Sequence, residues 1–183
     1  LDSGRYRRLV EEWRRFLTEE PAGALLAHNA ERPVRAVASE RIQRVHRRMV
    51  QRGRAIEDDT PAEALHDLRI RAKKLRYLLE FFRSLYSEQP LERLVAELKQ
   101  LQDNLGDFND YQVQIRSLQG FAAEMAAEGS APVRTQLAMG RLLAQLEAGQ
   151  SAERKRFAKR FERFASRQNR RSFARLFSQG EAS

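Results

Sequence analysis

Between Leu91 and Phe108 an apolar side chain returns in strict heptad order, at Leu91, Leu94, Leu98, Leu101, Leu105 and Phe108. A β-strand turns successive side chains to opposite faces and cannot hold such a seam, whereas an α-helix keeps it on one face throughout. The seam resumes at Tyr111, Ile115, Leu118, Ala122 and Met125. The three-residue steps from 105 to 108 to 111 form a stammer, which overwinds a helix locally, and Gly106 lies beside it. The reading is one long helix with a local distortion there. A helix with a single apolar stripe needs partners to cover it, so the fold class is all-α, an antiparallel bundle of long helices.

The remaining segments supply those partners. Asp2 and Ser3 offer N-caps for a first helix carrying Leu9, Trp13, Phe16 and Leu17, which Pro21 ends. Residues 21–33 form a connector. A second helix follows Pro33, with Ala38, Ile42, Val45 and Met49 in one stripe and Gly53 near its end. A third helix has Thr60 as N-cap, Pro61 at the first helical position and Glu63 completing a capping box, and runs to about Tyr86. Pro90 opens the fourth. Gly129 to Pro132 is a break, after which helix continues to about Gln168, with Gly149 as a point of interruption. Phe157, Phe161 and Phe164 hold core spacing in that last stretch. The whole, residues 1–183, reads as one domain: a first helix in 1–20, core helices in 34–128 and basic C-terminal helices in 132–183.

Charge narrows the partners. The formal charge is +9 and the pI about 10.5, a field that favours nucleic acid, anionic lipid or a phosphate polymer. With no cysteine there is no disulfide, thiolate metal site or Cys nucleophile, and a reducing compartment fits. No run of about 18 apolar residues exists, so no membrane partner is expected, and the reading is cytoplasmic. The first residue is Leu1, which suggests a fragment whose natural start lies upstream.

The third helix carries the chemistry. At about 100° per residue, Leu68, Ala72, Leu75, Leu79 and Phe82 share the core arc, while His66, Arg69, Lys73 and Arg76 form an adjacent ridge. Lys74 flanks the ridge. Like charges at these spacings repel by a few tenths of a kcal/mol per close pair, and on the ridge only Glu80 is placed to relieve them. Such a ridge is either a solvated charged face or a preformed anion site. Its position beside the core arc, rather than opposite it, favours a cleft between helices. Arg41, Arg48 and Arg52 make a similar ridge on the second helix, and Arg5 and Lys99 add cations from the first and fourth.

The string His66-x-x-Arg69-x-x-x-Lys73-Lys74-x-Arg76-Tyr77-x-x-Glu80, followed by Leu101-Gln102-x-x-Leu105-Gly106-x-x-Asn109-Asp110, resembles the signature of CHAD domains, the conserved histidine α-helical domains. Leu1-Asp2-Ser3-x-Arg5-Tyr6 also resembles a stretch midway through them. The resemblance implies a helical-bundle module that binds inorganic polyphosphate in a basic channel, without catalysis and without a cofactor. By the same resemblance His66, Arg69, Lys73, Lys74 and Arg76 become polyphosphate contacts, joined by Arg5, Arg41, Arg48 and Lys99 from the charge pattern. The family carries two related halves, each with a His-x-x-Arg helix. This chain shows the second, and His46-Arg47-Arg48 does not fit, so the first half is expected upstream or from a second chain.

Two other readings use the same residues. Asp103, Asp107 and Asp110 share a helix face that suits Mg²⁺ and a phosphate-processing enzyme, although pairing with the basic ridges is the favoured role. Alternatively the cations serve a nucleic-acid-binding or scaffold module. Arg167, Arg170, Arg171 and Arg175 in the tail suit weak polyanion or nucleic-acid binding. His28 and His46 read as isolated surface residues, and no metal site is expected.

Overall fold

The computed structural model describes residues 3–18, 32–130 and 132–178. Among the described residues there are six α-helices and no strand: α1 Gly4–Thr18, α2 Val34–Arg54, α3 Ala62–Phe81, α4 Glu88–Ala127, α5 Val133–Phe164 and α6 Arg167–Phe177. A 3₁₀ turn, Arg83–Leu85, joins α3 to α4. The chain is an all-α helical bundle and divides into two units, Leu1–Val37 and Ala38–Ser183.

In the first unit, α1 starts where Ser3 Oγ accepts from the Tyr6 N–H at 3.3 Å, an N-cap of the expected kind. Its stripe of Leu9, Trp13, Phe16 and Leu17 is exposed. Pro21 and most of the connector lie outside the described residues.

In the second unit one core joins the stripes of α2, α3 and α4 to the ends of α5 and α6. Ile42, Met49, Leu68, Leu75, Leu79, Leu94, Leu98, Leu101 and Phe164 are essentially inaccessible there. Each such side chain contributes about 1.5–3 kcal/mol by leaving water. Every residue of the heptad seam from Leu91 to Phe108 is buried. α4 is a single uninterrupted helix of 40 residues, so the stammer at Gly106 breaks nothing. α5 likewise passes through Gly149 without interruption. That glycine serves a close approach instead: a Cβ there would stand 2.6 Å from the Tyr111 ring. The turn from α4 to α5 is a Schellman motif, with Gly129 at φ +62°, its N–H on the Ala126 carbonyl and the Ser130 N–H on the Met125 carbonyl.

The start of α3 differs from the expected capping box. Pro61 is the N-cap residue, with no side-chain cap, and Thr60 Oγ1 accepts from the Glu57 N–H at 2.8 Å. The Thr60 hydroxyl is already engaged by the preceding turn, and Glu63 reaches Arg116 of α4 instead. The Arg154 guanidinium closes that turn from α5, donating to the Asp58 and Thr60 carbonyls and lying over Phe108. α3 also stops at Phe81, short of Tyr86, because the 3₁₀ turn carries Tyr86 into the core, where its hydroxyl bonds Ser39 at 3.0 Å.

The basic tail departs most from its reading. Helix α5 ends at Phe164, and Ser166 caps a separate α6 by accepting from the Asn169 N–H. α6 packs Phe173 and Phe177 into the core, while its arginines stay exposed.

Beyond the core, α4 and α5 continue as a two-helix arm. Past Phe108 only Ile115 of α4 is buried, and no residue of α5 before Glu153 is.

Candidate anion-binding site

The α3 ridge forms because the core arc pulls Leu68, Ala72, Leu75 and Leu79 inward and leaves the next arc at the edge of the bundle. Arg69, Lys73 and Arg76 are half-buried there, and His66 and Lys74 are exposed. His66 Nδ1 donates to Asn109 Oδ1 of α4 at 2.6 Å, which fixes its ring orientation and leaves Nε2 outward. Arg76 reaches Glu80 at 3.3 Å and lies 5.3 Å from the Tyr77 ring, while its Nε is buried without a partner among the described residues. Arg69, Lys73 and Lys74 have no ion pair among the described residues.

Arg69, Lys73 and Lys74 line one open depression of about 530 Å³, with Ile70, Tyr77, Leu78 and Phe81 as its apolar part. No carboxylate lines it. All of these residues belong to α3, so the depression runs along one helix, and it is not the cleft between helices that the pattern suggested. His66 and Arg76 lie outside its lining.

Helix geometry extends the basic edge to α4. The helices are antiparallel, with the His66–Asn109 contact near the start of α3 and both Leu79 and Leu91 in the core at the other end. Seven residues from that contact, about 10 Å along both axes at 1.5 Å per residue, Lys73 and Gln102 stand at one level. Ten residues along, Arg76 and Lys99 do. Gln102 shares the Asn109 flank, and its Nε2 is buried without a partner among the described residues. Gly106 lies between them with open space where a Cβ would be. The flank therefore offers cations, an unsatisfied amide and a gap.

The other expected cations are placed elsewhere. α6 packs on the Gln43 and His46 flank of α2, where Gln43 Nε2 donates to the Phe177 carbonyl at 2.9 Å. Arg41, Arg48 and Arg52 are exposed on the opposite flank and do not line the α3 depression. Arg5 is exposed on α1, in the first unit.

Asp103, Asp107 and Asp110 are exposed and make no ion pair among the described residues, so the expected pairing with the basic ridges is not formed. Burial first, then the charges of Glu153, Asp103 and Asp110, push the Asp107 carboxyl above its ordinary value. No group of three or more His, Cys, Asp or Glu suited to a metal occurs among the described residues. His46 is buried, contrary to its surface reading, and stacks on Phe173 with centroids 3.8 Å apart. Burial, then Arg170, lowers its pKa from 6.5 to about 4. His28 lies outside the described residues.

The family model for the CHAD domain matches residues 1–119. The chain belongs to the CHAD domain family. The matched stretch takes in α1, α2, α3 and most of α4, and with them the nine residues read above as polyphosphate contacts. In this CHAD chain the partners of the signature residues become visible: the histidine of His-x-x-Arg orients on the asparagine of the Leu-Gly-x-x-Asn-Asp string. α5 and α6, beyond the match, supply Phe157, Phe161, Phe164, Phe173 and Phe177 to the core that holds α2, α3 and α4 in place. No curated protein matches the chain. Among the described residues no helix is long and apolar enough to cross a membrane.

Proposed function

We propose that this CHAD domain binds inorganic polyphosphate along α3 and the adjoining flank of α4, without turning it over. The observation that carries the reading is the acid-free depression lined by Arg69, Lys73 and Lys74, whose cations have no ion pair among the described residues. Polyphosphate is a flexible chain of about one charge per unit with no bases to read, so it asks for cations on a rigid track. Arginine forks and lysine point charges both meet that need. Arg76 contributes once a phosphate oxygen displaces the solvent-weakened contact to Glu80, and His66, held by Asn109, presents Nε2. Arg41, Arg48 and Lys99 supply the wider positive field that draws a polyanion in, and Arg5 of the first unit is a further candidate contact.

Calorimetric titration with long polyphosphate, against RNA of matched charge, tests this. Wild type binds polyphosphate more tightly than RNA, with affinity falling steeply as salt rises. The Lys73→Ala/Arg76→Ala variant removes two charge-assisted contacts worth about 1.5–3 kcal/mol each and loses roughly 10²-fold or more. Equal affinity for the two polymers supports the nucleic-acid reading instead. An unchanged double variant removes the site.

A further inference from the structure

We propose a second anion site, between α2 and α6, suited to a small organic phosphate: a compact apolar or aromatic body carrying one or two phosphates. The two helices flank an open groove of about 560 Å³, within the range of small-molecule sites. Three arginines reach it, Arg47 and Arg54 from α2 and Arg170 from α6. No Asp or Glu lines it, and none of the three has an ion pair among the described residues. Arg47 and Arg54 stand two helical turns apart on one flank, about 10 Å, with Arg170 brought in by the packing of Phe173. Guanidinium groups gathered without acids repel one another, and a phosphate with several acceptor oxygens relieves that repulsion through paired N–H donors.

The floor of the groove separates this site from the α3 edge. Val50, Phe173 and Ala174 form an apolar base, which a bare phosphate chain does not use and an organic body does. His46, more than nine-tenths buried, also lines the groove, and its Nε2, sealed within the packing, has no hydrogen-bond partner among the described residues. A buried polar atom in that condition is costly, and here the rings of Phe164 and Phe173 cover it. The rings of Phe164 and Phe173 pack on His46, Arg170 from α6 is the charge that acts on it, and Arg47 and Arg54 from its own helix line the same groove. All the charged ones are cations, so an anion seated among them favours the imidazolium and raises the His46 pKa. None of the lining residues lies on α3.

ADP is the probe, with adenosine, inorganic phosphate and tripolyphosphate as separate arms of one calorimetric series on the full chain. ADP binds wild type at least tenfold more tightly than adenosine, phosphate or tripolyphosphate. Arg170→Ala and Arg54→Ala, both exposed positions, each weaken ADP by tenfold or more. Lys73→Ala/Arg76→Ala leaves ADP binding intact while it removes long polyphosphate, so the two sites fail separately. In proton NMR the His46 ring resonances move on ADP addition and titrate at higher pH. Absence of ADP binding, loss in the α3 variant but not in Arg170→Ala, or tripolyphosphate binding as tightly as ADP overturns the proposal.

Discussion

Acidification should destabilise this protein through one buried imidazole. His46 stacks on Phe173 at a 12° interplanar angle and meets Phe164 edge-on, so a protonated ring has little water around it. Its pKa falls from 6.5 to about 4, by burial and then by Arg170. Above pH 6.5 neither the folded nor the unfolded chain protonates this ring, and it adds no pH dependence. As pH falls from 6.5 towards 4, the unfolded chain takes up a proton that the folded chain refuses, and stability is lost. Below about pH 4 both states are protonated and the loss levels off. At 1.36 kcal/mol per pKa unit, the fall accumulates to about 3 kcal/mol across that window. The assay is urea denaturation from pH 7.5 to 4 for wild type and His46→Gln, which lacks the titrating ring. Carboxylates such as Glu63 and Asp107 titrate in both chains, so the difference between the two curves isolates His46. The variant's stability relative to wild type should rise by about 3 kcal/mol on going from pH 6.5 to 4. Parallel curves, or an imidazole that titrates near 6.5 by NMR in the folded protein, would refute the reasoning.

The glycines separate by what a methyl group would meet. Gly149→Ala drives a Cβ into Tyr111 and should destabilise by about 1–3 kcal/mol, whereas Gly120→Ala and Gly140→Ala, with open space, should stabilise by about 0.5–1 kcal/mol, read by thermal denaturation. Asn104→Leu should cost about 2–3 kcal/mol by urea denaturation, because Asn104 Nδ2 donates to the buried Glu153 carboxylate at 2.8 Å. Phe173→Ala should cost about 3–5 kcal/mol, because α6 is anchored by that ring and Phe177.

Much of the fold was written in local periodicity. The Leu91 to Phe108 seam, the Ala38 to Met49 stripe and the core arc of α3 are all inward-facing, since a helix forced to bury one face shows it in spacing alone. The errors arose where distant residues decide. The capping box at Thr60 failed because Glu57 already holds the hydroxyl and Arg116 of α4 holds Glu63. Gly149 resembled an interruption, yet Tyr111 needs the space there and α5 runs through, just as α4 runs through Gly106 as the single long helix expected. His46 was misread because its stacking partner, Phe173, comes from α6. The spacing of Phe173, Leu176 and Phe177 after Ser166 was the available signal for that helix. Within the candidate site, the cations were legible and their surroundings were not. The groove expected between α2 and α3 is replaced by a depression along α3 and a flank shared with α4.

The arm formed by the outer halves of α4 and α5 buries almost nothing of its own, yet it runs through the longest helix of the chain. Its length is thus decoupled from the basic edge near its root. Trimming matched turns from both helices would carry the Gly129 turn inward and leave the His66–Asn109 contact untouched. The reach of the arm and the seat of the cations can therefore be altered in this chain without either constraining the other.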